Sequence, residues 1–226
     1  MNKKFFSVLL IAVLTVSYAN AQFTFGARAG FNLTNMSGFN DDNDELEFDF
    51  NTKLKPGFQF GVVGDFALNK SFSIQPGILF ATQGFKISED FISFIGSVPV
   101  PVSLSGGLSL NYIQIPINVQ YKIDLGDMKL LLQTGSYLGY GLSGKLEVEA
   151  TSGNFTYEEK EKMKFGNKEE DMNPFDFGLG FGVGLHFDNI QVGLGYNLGL
   201  ANLYKVENIS TKHNGLALTV TYLFGK

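Results

Sequence analysis

The chain has 226 residues, a formal net charge of −5, 27 glycines, 23 phenylalanines and no cysteine. Without cysteine, neither disulfide bonds nor thiolate metal sites contribute to the fold. An acidic balance also argues against nucleic acid as a partner.

The N-terminal residues have the order of a secretory signal peptide. Lys3 and Lys4 precede an apolar run over residues 5–16, and the small-x-small triplet 19–21 stands before Gln22. Such a run is shorter than the ~20 apolar residues of a transmembrane helix. We therefore predict a cleaved signal peptide at 1–21 and one mature domain at 22–226. Loss of the two lysines changes the formal charge from −5 to −7.

Eight segments of the mature part alternate between apolar or aromatic residues and small or polar residues. They lie at 23–33, 58–68, 72–81, 111–123, 130–142, 175–187, 190–200 and 216–224. Sustained alternation with period two indicates strands that have one apolar face.

The residues on the other face of these strands indicate whether the apolar face points into a protein core or towards lipid. It consists mostly of Gly, Ala, Ser and Gln, with few charges, as residues 175–187 (FDFGLGFGVGLHF) illustrate. Small side chains suit the crowded interior of an eight-stranded barrel, and the apolar face then meets lipid. A sheet in hydrocarbon must close, because open edges leave backbone groups unpaired. The alternative is a soluble, lipocalin-like barrel, which requires the Phe/Leu/Ile face to point inward.

The gaps between the segments alternate between long and short. The long gaps are 34–56, 82–109, 143–173 and 204–214, and the short ones are 69–71, 124–127 and 188–189. Outer-membrane barrels have short periplasmic turns and long extracellular loops. The sequence therefore predicts an all-β fold, an eight-stranded antiparallel up-and-down transmembrane barrel in the outer membrane, with both termini in the periplasm.

Three motifs carry a family resemblance. Residues 110–117 (LNYIQIPI) resemble the "YLEIP" strand of small outer-membrane β-barrel proteins common in Bacteroidetes, which are described as porin-like or PorT-like. Residues 175–182 (FDFGLGFG) are similar to that family's D-x-G-x-x-x-G strand, and the early pattern Gly26-x-Arg28-x-Gly30-x-Asn32 is similar too. The resemblance implies an OmpA- or OmpX-like barrel without one defined activity; PorT relatives are associated with protein secretion.

The last strand also matches a known pattern. The spacing Leu218-x-Val220-x-Tyr222-x-Phe224 resembles the C-terminal signal that the barrel-assembly machinery reads during insertion. Gly225 and Lys226 follow the last aromatic residue, which departs from the common form of this signal.

Three charged residues fall on the inward parity of the strands: Arg28, Asp65 and Asp176. They form either a polar constriction or ligand cluster, or an ion-pair network that neutralises buried charge, because an unpaired charge there is costly. His186 has inward parity near the periplasmic end and His213 falls in the last loop, so we expect neither to be catalytic. No glycine loop precedes a helix, and we expect no cofactor and no metal site.

The long loops differ in character. The first contains six acidic residues between positions 41 and 49 and suits a solvated loop or weak divalent-cation binding; it lacks the pattern of a calcium-binding loop. The third mixes Lys and Glu over 158–171, which indicates an exposed, mobile tip. The second is apolar over 91–102, which suits folding over the barrel mouth, resting on the outer leaflet or binding a partner.

For function, these features favour a non-enzymatic outer-membrane barrel with a structural or surface-interaction role. Its expected partners are outer-membrane lipid and a surface protein that the loops contact. The alternative is a narrow pore or small-ligand transporter, which the glycine-lined lumen favours and the barrel width limits. An envelope enzyme or a PorT-like secretion component fits the sequence less well.

Overall fold

Nine antiparallel strands make up the regular structure of the part of the chain that is described. The computed structural model describes residues 22–37, 52–95, 97–166, 171–204 and 211–224. The predicted signal peptide and the acidic part of the first loop lie outside these residues. The strands are β1 (Gln22–Ser37), β2 (Lys53–Ala67), β3 (Phe72–Ile95), β4 (Val98–Asp124), β5 (Lys129–Ser152), β6 (Phe155–Met163), β7 (Phe175–Phe187), β8 (Ile190–Gly199) and β9 (Lys212–Phe224).

Eight of the nine strands close into a ring. Each pairs with its neighbours in the order β1, β2, β3, β4, β5, β7, β8, β9, and β9 pairs with β1 again. Closure satisfies the backbone groups that an open sheet edge exposes. β6 lies outside the ring and pairs with the far part of β5, from Gly144 to Ser152. The predicted eight-stranded antiparallel barrel is confirmed.

Inward and outward positions alternate as predicted. On β7, Asp176 is fully buried while its neighbours Phe175 and Phe177 are about half exposed. The outward face of every ring strand carries exposed aliphatic or aromatic side chains. A face of this kind is stable only against an apolar medium, because so large an apolar surface is unfavourable in water.

Two belts of aromatic side chains surround the barrel. Near the short turns, Phe72 packs on Tyr121 with ring centroids 4.8 Å apart, and Phe23 packs on Phe66 at 4.6 Å. Near the long loops, the belt contains Phe58, Phe60, Phe80, Tyr140 and Phe175. The 13 residues of β7 connect the two levels and span about 30 Å at ~3.3 Å per residue and ~40° tilt. That height matches the apolar band of a transmembrane barrel, flanked by aromatic girdles.

Short turns join the strands at one end. They lie at 68–71, 125–128 and 188–189, and Asn69 stabilises the first by accepting backbone hydrogen bonds from Ser71 and Phe72. We refer to this end as periplasmic and to the opposite end as extracellular, following the general pattern of such barrels.

Two predicted loops are wrong in their secondary structure. The regions 82–109 and 143–173 are largely strand: β3 and β4 continue as a paired ribbon to Ile95 and Val98, and β5 continues into the hairpin with β6. The apolar stretch 91–102 is the tip of the β3–β4 hairpin. Residues 158–163 of the Lys/Glu-rich stretch belong to β6, and residues 167–170 lie outside the described ranges. We call the extracellular part of β2 to β6 the extracellular sheet.

Candidate functional site

The periplasmic half of the lumen is filled by a polar network that we call the polar floor. Arg28 on β1 donates from Nε to Oγ1 of Thr221 on β9 at 2.8 Å, and from Nη2 to Oε1 of Gln75 on β3. Gln75 also accepts from Gln120 at 3.0 Å and donates to Gln191 on β8 at 3.1 Å. Because β3 and β8 face each other across the ring, the hydrogen bond between Gln75 and Gln191 crosses the lumen.

A buried ion pair lies below the polar floor. Lys122 Nζ on β4 is 2.9 Å from Asp65 Oδ2 on β2, and both side chains are at least 95 % buried. The pair borders a periplasmic vestibule of about 640 Å³, which also contains Thr24, Lys70 and Lys129. Such a pair needs both partners, because removing one leaves an uncompensated buried charge.

Asp176 lies near the extracellular end, far from the polar floor. Its Oδ2 is 3.8 Å from Nδ1 of His213, which is longer than a hydrogen bond. The side chain of Tyr137 also faces Asp176. Gly178 leaves room for the Tyr137 ring, because a Cβ there would lie 2.8 Å from the hydroxyl oxygen. The small residues of the inward face therefore accommodate large neighbours.

The three predicted lumenal residues thus occupy two places. All three point inward and are buried. Arg28 and Asp65 are near enough to interact electrostatically, whereas Asp176 belongs to a separate group with His213 and Tyr137. Lys122, the direct partner of Asp65, was missed; its inward parity on β4 is visible in the sequence, but the pairing depends on strand register.

The two histidines also have definite positions. His186 is buried near the periplasmic turn, with Nε2 3.0 Å from the backbone oxygen of Asp188, as its parity predicted. His213 was predicted in a loop and this is wrong: it lies on β9, paired with Met36 of β1, and points into the lumen. Loop assignment failed there because the alternation is interrupted by polar residues.

An apolar cluster closes the extracellular mouth. Met36, Phe85, Leu108, Leu110 and Tyr112 extend from the strands, and Met172 and Leu203 come from the segments that flank β7 and β8. All seven are at most 5 % exposed. Gly141 accommodates the nearby Phe165 ring, since a Cβ would lie 2.4 Å from it. We call this cluster the apolar plug.

Among the described residues, the cavities found between the plug and the polar floor are small. Two cavities there measure about 50 Å³ and 10 Å³, room for a few water molecules. Within the described ranges, no group of three or more His, Asp or Glu side chains is placed to hold a metal ion. Nor does any helix of the described chain have the length and apolar character to cross a membrane.

The closed ring, the lipid-facing aromatic belts and the filled lumen define a small transmembrane β-barrel. The chain belongs to the outer membrane protein beta-barrel domain family, whose model matches residues 18–205. The protein is therefore located in the outer membrane, as its sequence predicted.

Comparison with solved structures finds proteins of low sequence identity whose chains are covered almost completely. Ail, the attachment invasion locus protein of Yersinia pestis, is 15% identical, with 89% of this chain and 98% of that chain covered and a TM-score of 0.36. Neisserial surface protein A is 13% identical, with 88% and 96% covered and a TM-score of 0.37. An outer-membrane channel from Pseudomonas putida F1 is 11% identical, with 89% and 95% covered and a TM-score of 0.30. No curated protein matches the sequence significantly.

Proposed function

We propose that this protein is a non-enzymatic outer-membrane barrel that presents its β3–β4 hairpin to a partner at the cell surface. The observation that carries the proposal is the combination of a filled lumen with a projecting apolar tip. The polar floor and the apolar plug leave cavities of only about 50 Å³ and 10 Å³. A barrel of this kind acts through its outer parts rather than its interior.

The hairpin tip supports a role in contacts with another molecule. β4 pairs with β5 only from Ser103 onward, so the tip extends beyond the neighbouring strand. Ile92, Phe94 and Val98 are each more than 60 % exposed there, and residues 91–102 contain no charged side chain. Exposed apolar surface that projects into water is typical of an interaction site.

The filled lumen argues against the narrow pore or transporter. It also argues against an enzyme that acts within the lumen, because Asp176 is fully buried and the cavity beside His213 measures only about 10 Å³. Assignment to the PorT-like branch remains a prediction from the sequence motifs.

Site-specific photo-cross-linking in cells tests the proposal. A photoreactive residue at Phe94 is expected to form an adduct of defined mass with a surface partner. The same residue at Phe155, which is 83 % exposed on the neighbouring β5–β6 hairpin, is the matched control and is expected to form none. Equal adducts at both positions, or none at Phe94, would contradict the proposal. Discrete current steps from the purified protein in planar bilayers would instead support the pore.

A further inference from the structure

The outward surface of the extracellular sheet contains a groove just above the membrane band. Its floor is formed by Ser105, Gly106 and Gly107 of β4, and its volume is about 450 Å³. Glycine is needed in this floor, since a Cβ on Gly107 would lie 2.4 Å from the backbone oxygen of Phe85. Because the floor has almost no side chains, the longer residues on both sides form walls.

Strand register defines the two walls. One row of paired residues runs across five strands, from Lys53 through Lys86, Gly107 and Glu147 to Lys160. Lys86 points outward, because the adjacent Phe85 is buried in the apolar plug. The β2–β3 wall is therefore basic, and the β5–β6 wall carries both signs.

Three lysines are concentrated on the basic wall. Lys53 donates from Nζ to the backbone oxygen of Ser88 at 3.0 Å. The stem of Lys55 packs over Gly84, where a Cβ would lie 3.1 Å from Lys55 Cδ. Partial burial and the nearby charge of Lys86 lower the pKa of Lys55, and Glu147 opposes this effect. The like charges are thus close enough to repel one another, which an anion between them would relieve.

Two of the three glutamates that line the opposite wall are already paired with lysines. Glu147 pairs with Lys145, and Glu158 pairs with Lys160 at 3.0 Å. Among the residues that the structure describes, Lys53, Lys55 and Lys86 form no salt bridge. The positive wall therefore stands out in a chain whose formal net charge is −5.

The position of the basic wall relative to the membrane indicates which anion it binds. Phe58 and Phe80 of the extracellular aromatic belt lie on the same outward surface of β2 and β3, with ring centroids 6.0 Å apart. Lys55 precedes Phe58 by three residues, about 10 Å along the strand. Aromatic belts mark the membrane interface, so Lys55 lies near the height of the lipid headgroups, and Lys86, six residues beyond Phe80, lies about 10 Å further out along its strand.

We propose that Lys53, Lys55 and Lys86 form a binding site for the phosphate of an outer-leaflet lipid headgroup. The groove lies beyond the aromatic belt on the same strands, so an outer-leaflet lipid reaches it while its acyl chains pack against the belt. Lysine is a point charge that suits phosphate, and basic residues next to a membrane bind anionic lipids. This site is independent of the hairpin tip and goes beyond the proposed surface role.

A titration with two lipids tests the site. The full-length mature chain in detergent micelles is titrated with bisphosphorylated lipid A and with monophosphorylated lipid A of the same acylation, and bound lipid is counted by native mass spectrometry. The bisphosphorylated lipid is expected to bind more tightly to the unaltered protein. The variant K53Q/K55Q/K86Q is expected to bind it roughly 100-fold more weakly, at the usual attraction per lysine.

The matched control removes the same number of charges from the other side of the groove. K145Q/K160Q/K162Q is expected to bind the bisphosphorylated lipid at most a few-fold more weakly. An equal loss of lipid affinity in both triple variants would show that the lipid responds only to the overall surface charge, and would overturn the proposal. If the triple variant does not reach the folded gel mobility, the single variant K86Q is measured instead and is expected to lose affinity in the same direction.

Two further outcomes would overturn the proposal. Complete displacement of the lipid by millimolar inorganic phosphate would assign the site to a free anion. The second outcome is equal binding of both lipids together with a lower thermal stability of K53Q/K55Q/K86Q, both with and without lipid. That result would mean that the lysines contact an acidic segment of the chain itself, such as positions 41–49, instead of a lipid.

Discussion

At the scale of single residues, the ion pair of Asp65 and Lys122 gives the clearest prediction. Lys122→Met leaves Asp65 charged in a buried position, and we expect a loss of about 3–5 kcal/mol in the free energy of unfolding. The double variant Asp65→Asn with Lys122→Met is expected to recover much of that loss, because no unpaired charge remains. Urea unfolding in detergent, followed by gel mobility, measures both.

The exposed pair of Lys160 and Glu158 is the control for this comparison. Both side chains are about half exposed, so Lys160→Met is expected to leave the unfolding midpoint unchanged. A loss as large as that of Lys122→Met would show that burial is not the cause.

At this scale, the sequence predicts which face of the strand a side chain occupies, but not which residue the side chain contacts. Alternation predicted correctly that Arg28, Asp65 and Asp176 point inward. It did not show that Arg28 meets Gln75 or that Asp65 meets Lys122, since those contacts depend on register and on which strands face each other across the ring. A side chain's face is local information, whereas its partner depends on the closed barrel.

At the scale of elements, the close approach of β3 and β4 near the extracellular end depends on one glycine. Gly84 has φ +149°, and a Cβ there would lie 1.9 Å from the backbone oxygen of Leu108. We expect Gly84→Ala to disturb the pairing of β3 with β4 and to reduce the yield of folded barrel on refolding, because the new methyl group would meet a backbone atom of the paired strand. The fraction with unheated gel mobility reports the yield.

Gly195→Ala is the matched control for that experiment. A Cβ at this inward position would be 3.4 Å from the nearest oxygen, at Phe181, which is ordinary contact. We expect the yield to stay near that of the unaltered chain; an equal fall in yield would mean that any added methyl group in the lumen is harmful.

The strand extensions outside the membrane show where period-two alternation no longer predicts a strand. Inside the membrane the two faces meet different surroundings, lipid and lumen, and the sequence alternates accordingly. Beyond the membrane both faces of β6 meet water, so residues 155–163 (FTYEEKEKM) carry charges on both parities. Period-two alternation vanishes although the strand continues, and the sequence therefore predicted a loop.

At the scale of the whole molecule, stability depends on the plug as well as on ring closure. Leu110 is fully buried in the plug, and we expect Leu110→Ala to cost about 2–5 kcal/mol because a cavity remains. Leu218→Ala, on the lipid-facing surface, is expected to cost less, since detergent or lipid fills the space. Equal losses in urea unfolding would mean that the plug adds no packing of its own.

Two separate layers of side chains block the lumen, so we expect removal of either layer alone to leave the barrel non-conducting. The apolar plug blocks the extracellular mouth, and the polar floor crosses the periplasmic half. Met172→Gly with Leu203→Gly is therefore expected to leave planar-bilayer current at baseline, because ions still meet the hydrogen-bonded floor. Arg28→Gly with Gln75→Gly alone is expected to do the same, since desolvating an ion in the plug is costly. Only the fourfold variant is expected to give discrete steps, and steps from either pair alone would show that one closure seals the barrel by itself.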